Sequence, residues 1–174
     1  EFQQVLALPD DGSVPLRDVY REIGVAQFRL GSYDDAIAAW QKGLVYAPFD
    51  AGLLNNLAIA FLKLNRYDDA ISYAQAAARS NPVMPEPANT LGEISLARGE
   101  YLASAKYFKQ YLYLRPEDPK GSWNLALALT RGGNYDEAYQ YAMRFASVTA
   151  DPAERAGAQE LMNFITEARQ KKIR

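Results

Sequence analysis

The chain has 174 residues and contains neither cysteine nor histidine. Without cysteine there is no disulfide, no thiolate nucleophile and no iron–sulfur cluster. Without histidine the commonest general base and the commonest metal ligand are missing. A Ser-His-Asp triad, a histidine-bearing zinc site and a proximal-histidine haem are therefore excluded within the chain. An excess of charge is also lacking: 19 Lys+Arg against 21 Asp+Glu leave a net charge of −2. Such a balance gives no global attraction to nucleic acid or to acidic membranes. Long hydrophobic runs are absent too. The stretch Leu53 to Leu64 is interrupted by Asn55, Asn56 and Lys63 and falls short of the roughly 20 residues that a membrane helix needs. The first residues lack the basic-then-apolar pattern of a signal peptide, and no initiator Met precedes Glu1. These features predict a soluble, excised or processed chain of unassigned compartment, with no direct membrane insertion.

What is present is ample apolar material and a period. With 49% hydrophobic and 23% charged residues, the chain is too apolar for disorder and suited to one packed domain or one repeat array. Tyr33, Tyr67, Tyr101 and Tyr135 recur every 34 residues. Two positions before each stand Gly31, Asn65, Gly99 and Gly133; three positions after each stand Ala36, Ala70, Ser104 and Ala138. Pro48, Pro82 and Pro116 keep the same interval, and Ala150 holds the fourth place. Several columns in one phase indicate an internal repeat.

Each repeat reads as two helices. Apolar residues such as Val19, Tyr20 and Ile23, then Ile37, Trp40 and Leu44, recur at helical spacing. The Gly or Asn column marks the end of a first helix, where a left-handed residue closes the turn. Ser32 and Asn134 suit N-caps, with Asp35 and Glu137 three residues on as capping-box partners. The spacing predicts helices near 16–29, 33–46, 50–63, 67–80, 84–97, 101–114, 118–131 and 135–148, and a longer one over about 153–171.

This pattern resembles the tetratricopeptide repeat. That family places large apolar residues at positions 4 and 7, small ones at 8, 20 and 27, Tyr at 17, an aromatic at 24 and Pro at 32. With Pro48 at position 32, the repeats are 17–50, 51–84, 85–118 and 119–152. Residues 1–16 are a lead-in or the stub of an upstream helix, and 153–174 form a capping helix with a basic tail. Repeat two matches through Leu54, Leu57, Ala58, Asn65, Tyr67, Ala70, Ala77 and Pro82. The resemblance implies an all-α solenoid, a right-handed superhelix of stacked antiparallel helix pairs. Position 27 departs from the pattern: Gly43 and Ala77 give way to Tyr111 and Phe145. These large rings are expected to push the later helices apart or to alter the pitch.

The resemblance also implies a use. Positions 2, 5, 6, 9, 12 and 13 of the first helices line the inner groove of such arrays, where a protein or peptide segment binds. Here they supply Asn55, Asn56, Asn89 and Asn124, whose amides match the alternating groups of a peptide backbone. They supply five cations, Arg21, Arg29, Lys63, Lys120 and Arg131, which favour an acidic partner, and Trp123 as an apolar anchor. Chaperone-binding members of the family clamp a terminal carboxylate with further residues. Arg21 and Asn56 match that set loosely, but Val25 replaces an Asn, and Glu86 and Thr90 replace a basic pair.

The other motifs read as structural. Asp34-Asp35, Asp68-Asp69 and Asp136-Glu137 fall at the starts of second helices, where negative charge complements the helix dipole. Gly132-Gly133 falls in a turn and belongs to no phosphate-loop motif. The expectation is a non-enzymatic interaction scaffold with no cofactor, no metal and no nucleic-acid partner. The alternatives are a self-assembly module, using Phe2, Val5, Leu6 and Leu8, and a recruitment segment of a larger protein.

Overall fold

The computed structural model describes residues 15–173. Among the described residues there are nine helices and no strand. They are α1 Leu16–Arg29, α2 Tyr33–Tyr46, α3 Ala51–Lys63, α4 Tyr67–Ser80, α5 Glu86–Ala97, α6 Tyr101–Leu114, α7 Pro119–Arg131, α8 Tyr135–Val148 and α9 Pro152–Ile173. Phe2, Val5, Leu6 and Leu8 lie outside the described residues, as does the end of the basic tail at Arg174.

The turn column behaves as its residue types require. Gly31, Gly99 and Gly133 have φ of 79°, 77° and 74°, and Asn65 takes the same left-handed conformation at 57°. The capping differs from expectation. Ser32 and Asn134 occupy the N-cap positions of α2 and α8, but neither side chain caps the helix. Asn134 instead donates to Glu137 at 3.0 Å. Side-chain caps occur at two of the first helices: Asp50 accepts from the Leu53 amide at 2.9 Å, and Asp118 from the Lys120 amide at 2.9 Å. This is why α3 and α7 begin one residue later than the spacing predicts.

Two compact units make up the chain, Glu1–Thr90 and Leu91–Arg174. In the first unit, α1 packs on α2, α2 on α3 and α3 on α4. Gly24 lies directly against the buried Trp40 ring; a Cβ there would stand 2.2 Å from the indole nitrogen. That nitrogen donates to the Arg21 carbonyl at 3.1 Å, which ties the ring to the backbone of α1. The equivalent pair in the next repeat is Ala58 with Ala74, both fully buried. The aromatic filling there comes from Phe61 and Tyr73, stacked with ring centroids 5.3 Å apart.

The second unit repeats this alternation. Gly92 faces Phe108, with a hypothetical Cβ 2.6 Å from the ring. Ser104 donates to the Gly92 carbonyl at 2.8 Å. Ala126 and Ala142 are again both fully buried, and the bulk comes from Trp123 against Phe145, ring centroids 5.0 Å apart. The α9 helix packs on α8 and buries Ala158, Met162 and Ile165, spaced as one helical stripe.

Position 27 is accommodated locally. Tyr111 has Gly121 beneath it, where a Cβ would fall 2.8 Å from the ring. In the first unit the sizes are reversed: Gly43 faces Leu53, with a hypothetical Cβ 3.0 Å from its δ carbon. The large ring is thus met by a residue without a side chain on the next helix, so it need not wedge that helix away.

An ion-pair cluster joins α1 to the start of α3. Arg21 reaches Asp18 and Asp50, each at 2.7 Å, and Arg17 reaches Asp18 at 3.0 Å. Asp50 therefore serves as both cap and counter-ion. Asp50→Ala is expected to cost about 1–2 kcal/mol, the usual value of a lost N-cap. Urea denaturation checks it; Asp50→Asn should recover most of the loss, because an amide oxygen still caps.

Candidate functional site

The residues expected to bind sit on the first helices, α1, α3, α5 and α7. Their environments separate them into two groups. Position 13 ends each first helix in an exposed residue: Arg29, Lys63, Ala97 and Arg131. Position 9 is half-buried throughout, at Val25, Ile59, Glu93 and Leu127. Each unit thus has a face of first-helix side chains with half-buried residues at position 9 and exposed cations at its edge.

In the first unit, two predicted binding residues are committed to the fold. Arg21 is held between Asp18 and Asp50, which neutralises its charge. Asn55 is only 4% exposed, and its side-chain oxygen accepts from the Thr90 hydroxyl at 3.0 Å. Asn55 and Thr90 are both buried, and buried polar groups need such partners. Asn56 is half-buried, while Arg29 and Lys63 are exposed. Among the described residues neither Arg29 nor Lys63 has an ion-pair partner. Asn89 is half-buried and engaged with neighbours.

In the second unit, Lys120 and Arg131 are exposed and without an ion-pair partner among the described residues. Trp123 is half-buried, with one side committed to Phe145. Asn124 is half-buried and has interactions of its own. The reading of the sequence missed that Asp50 and Thr90 take up Arg21 and Asn55, two of the groups expected to bind. One signal was available: Asp50 and Asp118 both stand immediately before a first helix, where an acidic residue caps.

The acidic pairs stabilise second-helix starts. Asp69 pairs with Arg66 at 2.8 Å, Glu137 with Lys109 at 2.6 Å, and Asp136 with Arg169 of α9. Among the described residues no three carboxylates gather into a metal site, and no helix is long and apolar enough to cross a membrane.

The tetratricopeptide repeat family model matches residues 21–85 and 89–154, more than half of the chain. The chain is a tetratricopeptide repeat protein. Its fold is the all-α helix-pair solenoid of that family. Protein FlbA of Caulobacter vibrioides is 32% identical over 128 residues, covering 73% of this chain and 21% of FlbA. The chain therefore spans about a fifth of that curated relative. Among solved structures, MamA superposes with a TM-score of 0.76 at 20% identity, covering 89% of this chain and 83% of MamA. The first tetratricopeptide domain of Spaghetti (RPAP3), bound to the HSP90 peptide SRMEEVD, superposes with a TM-score of 0.63 at 24% identity, covering 66% of this chain and 90% of that one. At these identities the structural matches establish the fold of the tetratricopeptide repeats and nothing further.

Proposed function

We propose that this tetratricopeptide repeat protein is a non-enzymatic interaction module whose first-helix faces hold an extended, acidic segment of a partner protein. The observation that carries this reading is four exposed cations of the first helices that have no ion-pair partner among the described residues. Arg29 and Lys63 edge one unit, and Lys120 and Arg131 the other. The cations that the fold itself needs, such as Arg21, are already neutralised. Asn56 and the half-buried Trp123 add an amide for a peptide backbone and an apolar contact beside these charges. The Spaghetti (RPAP3) domain, which has the same fold, carries an acidic peptide, and this supports the choice of partner chemistry. The recognition differs from a terminal-carboxylate clamp. Thr90 stands at a clamp position and spends its hydroxyl on Asn55, while Glu86 at the other would repel a carboxylate.

The test is fluorescence anisotropy with an acidic peptide selected on an array by the intact protein. Lys63→Glu combined with Asn56→Ala, and separately Trp123→Ala, should each weaken binding about tenfold, and affinity should fall as salt rises. Lys171→Glu, on the far end of α9, should leave it unchanged. Unaltered affinity in both inner-face variants would sink the proposal. The coverage of about a fifth of FlbA favours a second reading of the same activity, in which the module recruits partners for the rest of a longer protein.

A further inference from the structure

Each second helix turns one stripe outward. Positions 18, 22, 25 and 29 of the repeat are exposed on α2, α4, α6 and α8 alike. Their spacing, i, i+4, i+7 and i+11, keeps them on one side of a helix. On α2, α4 and α8 the stripe opens with Asp34, Asp68 or Asp136 and holds no cation at its two middle positions. On α6 it reads Leu102, Lys106, Lys109 and Tyr113. The aspartate column stabilises its helices through the dipole. The α6 helix forgoes that gain and has no acidic residue in its first turn or anywhere in its length. It exposes Leu102 and Tyr113 instead, by 76% and 85%. A single exposed apolar side chain needs no explanation; here two of them bracket a pair of lysines on one helix face. Lys109 pairs with Glu137 of α8 at 2.6 Å and still leaves 47% of its side chain accessible. Lys106 is exposed and has no ion-pair partner among the described residues.

We propose that this outer face of α6 docks an amphipathic helix of another protein whose own stripe is complementary, with apolar residues at i and i+11 and carboxylates at i+4 and i+7. The spacing reads the same in both directions, so the partner can lie parallel or antiparallel to α6. Leu102 and Tyr113 stand about 16 Å apart along the axis, three helical turns, which one short helix covers. Charge selects the occupant. Carboxylates on the partner meet the two ammonium groups at the centre, while its ends cover Leu102 and Tyr113 and remove their apolar surface from water. A flat anionic membrane fits less well. It would also meet Asp136, one repeat on from Leu102, and Glu117, four residues past Tyr113, whose side chains are 84% and 86% accessible. The second-helix stripes of a second copy do not offer the required order, since each opens with aspartate or, on α6, carries lysines. The site uses second-helix residues alone and does not depend on the inner-face reading.

The probe is a synthetic helix held by a side-chain staple, with Leu at i and i+11 and Glu at i+4 and i+7, followed by fluorescence anisotropy on the full chain. It should bind saturably. Leu102→Asp and Tyr113→Ser install the residues that α8 carries at these positions, so both variants should fold, and each should weaken binding about tenfold. Lys106→Glu should weaken the same probe and recover affinity for one of the two probes in which a single Glu is exchanged for Lys; which one recovers gives the direction of docking. Lys63→Glu, on the inner face, should leave probe binding unchanged. Binding that depends on Lys63 and not on Lys106 would place the probe on the inner face and overturn the proposal. A Kd weaker than about 1 mM would overturn it too. So would sedimentation with phosphatidylserine vesicles, or dimerisation, that Leu102→Asp abolishes in a protein that does not bind the probe.

Discussion

Gly92→Val is expected to destabilise the second unit by about 3 kcal/mol, the upper part of the usual range for overpacking a core. Even a Cβ at this position would stand 2.6 Å from the Phe108 ring. The ring has no room to retreat. It is fully buried and shares a core with Ala105, Leu112, Leu125 and Leu129, and protein interiors leave few voids to absorb a shift. The carbonyl of Gly92 is also held by Ser104 at 2.8 Å, so a backbone shift would strain a buried hydrogen bond. Hydrogen exchange resolved by residue should show the loss across α6 and α7. Gly157→Ala is the control. It lies in α9 with nothing within 4 Å of its hypothetical Cβ, and it should stabilise by about 1 kcal/mol through helix propensity. Phe108→Leu in the Gly92→Val background should recover part of the deficit by freeing volume. A Gly92→Val protein as stable as the parent would mean that the Gly–Phe contact is not tight.

Gly92 and Phe108 illustrate how much of the fold was legible in the sequence. The 34-residue columns located helix starts and turns because those features depend on backbone conformation. A residue at φ near +75° must be Gly or Asn whatever surrounds it, and Gly31, Asn65, Gly99 and Gly133 comply. Size compensation was less visible. It couples residues 16 apart within a repeat, Gly24 with Trp40 and Gly92 with Phe108, and no local pattern announces such pairs. Asp50 and Thr90 show the same limit for the candidate site. Position in the repeat put Arg21 and Asn55 on the inner face, but their partners sit 29 and 35 residues away. A register can say which side of a helix a residue occupies. Whether a distant carboxylate or hydroxyl has already claimed it depends on packing between helices.

The same compensation principle makes a prediction between repeats. Gly121→Leu alone is expected to cost about 2–3 kcal/mol, because Tyr111 occupies the space its side chain would need. Tyr111→Gly alone should cost about 3 kcal/mol, from the vacated core volume and the lost hydroxyl contact to Asp118. Combined, the two changes rebuild at the α6–α7 contact the pair that the first unit already uses, Gly43 against Leu53. The next residue is Leu in both places, Leu44 and Leu112. The double variant should therefore be more stable than the sum of the single losses by at least about 2 kcal/mol, a coupling typical of residues in direct contact. It should remain below the parent, since Asp118 would lack its tyrosine and Gly weakens the interior of a helix. Urea unfolding of the four proteins closes the cycle. Additive losses would show that Tyr111 and Gly121 are tuned to other neighbours, and that the reversed sizes in the two units are coincidental.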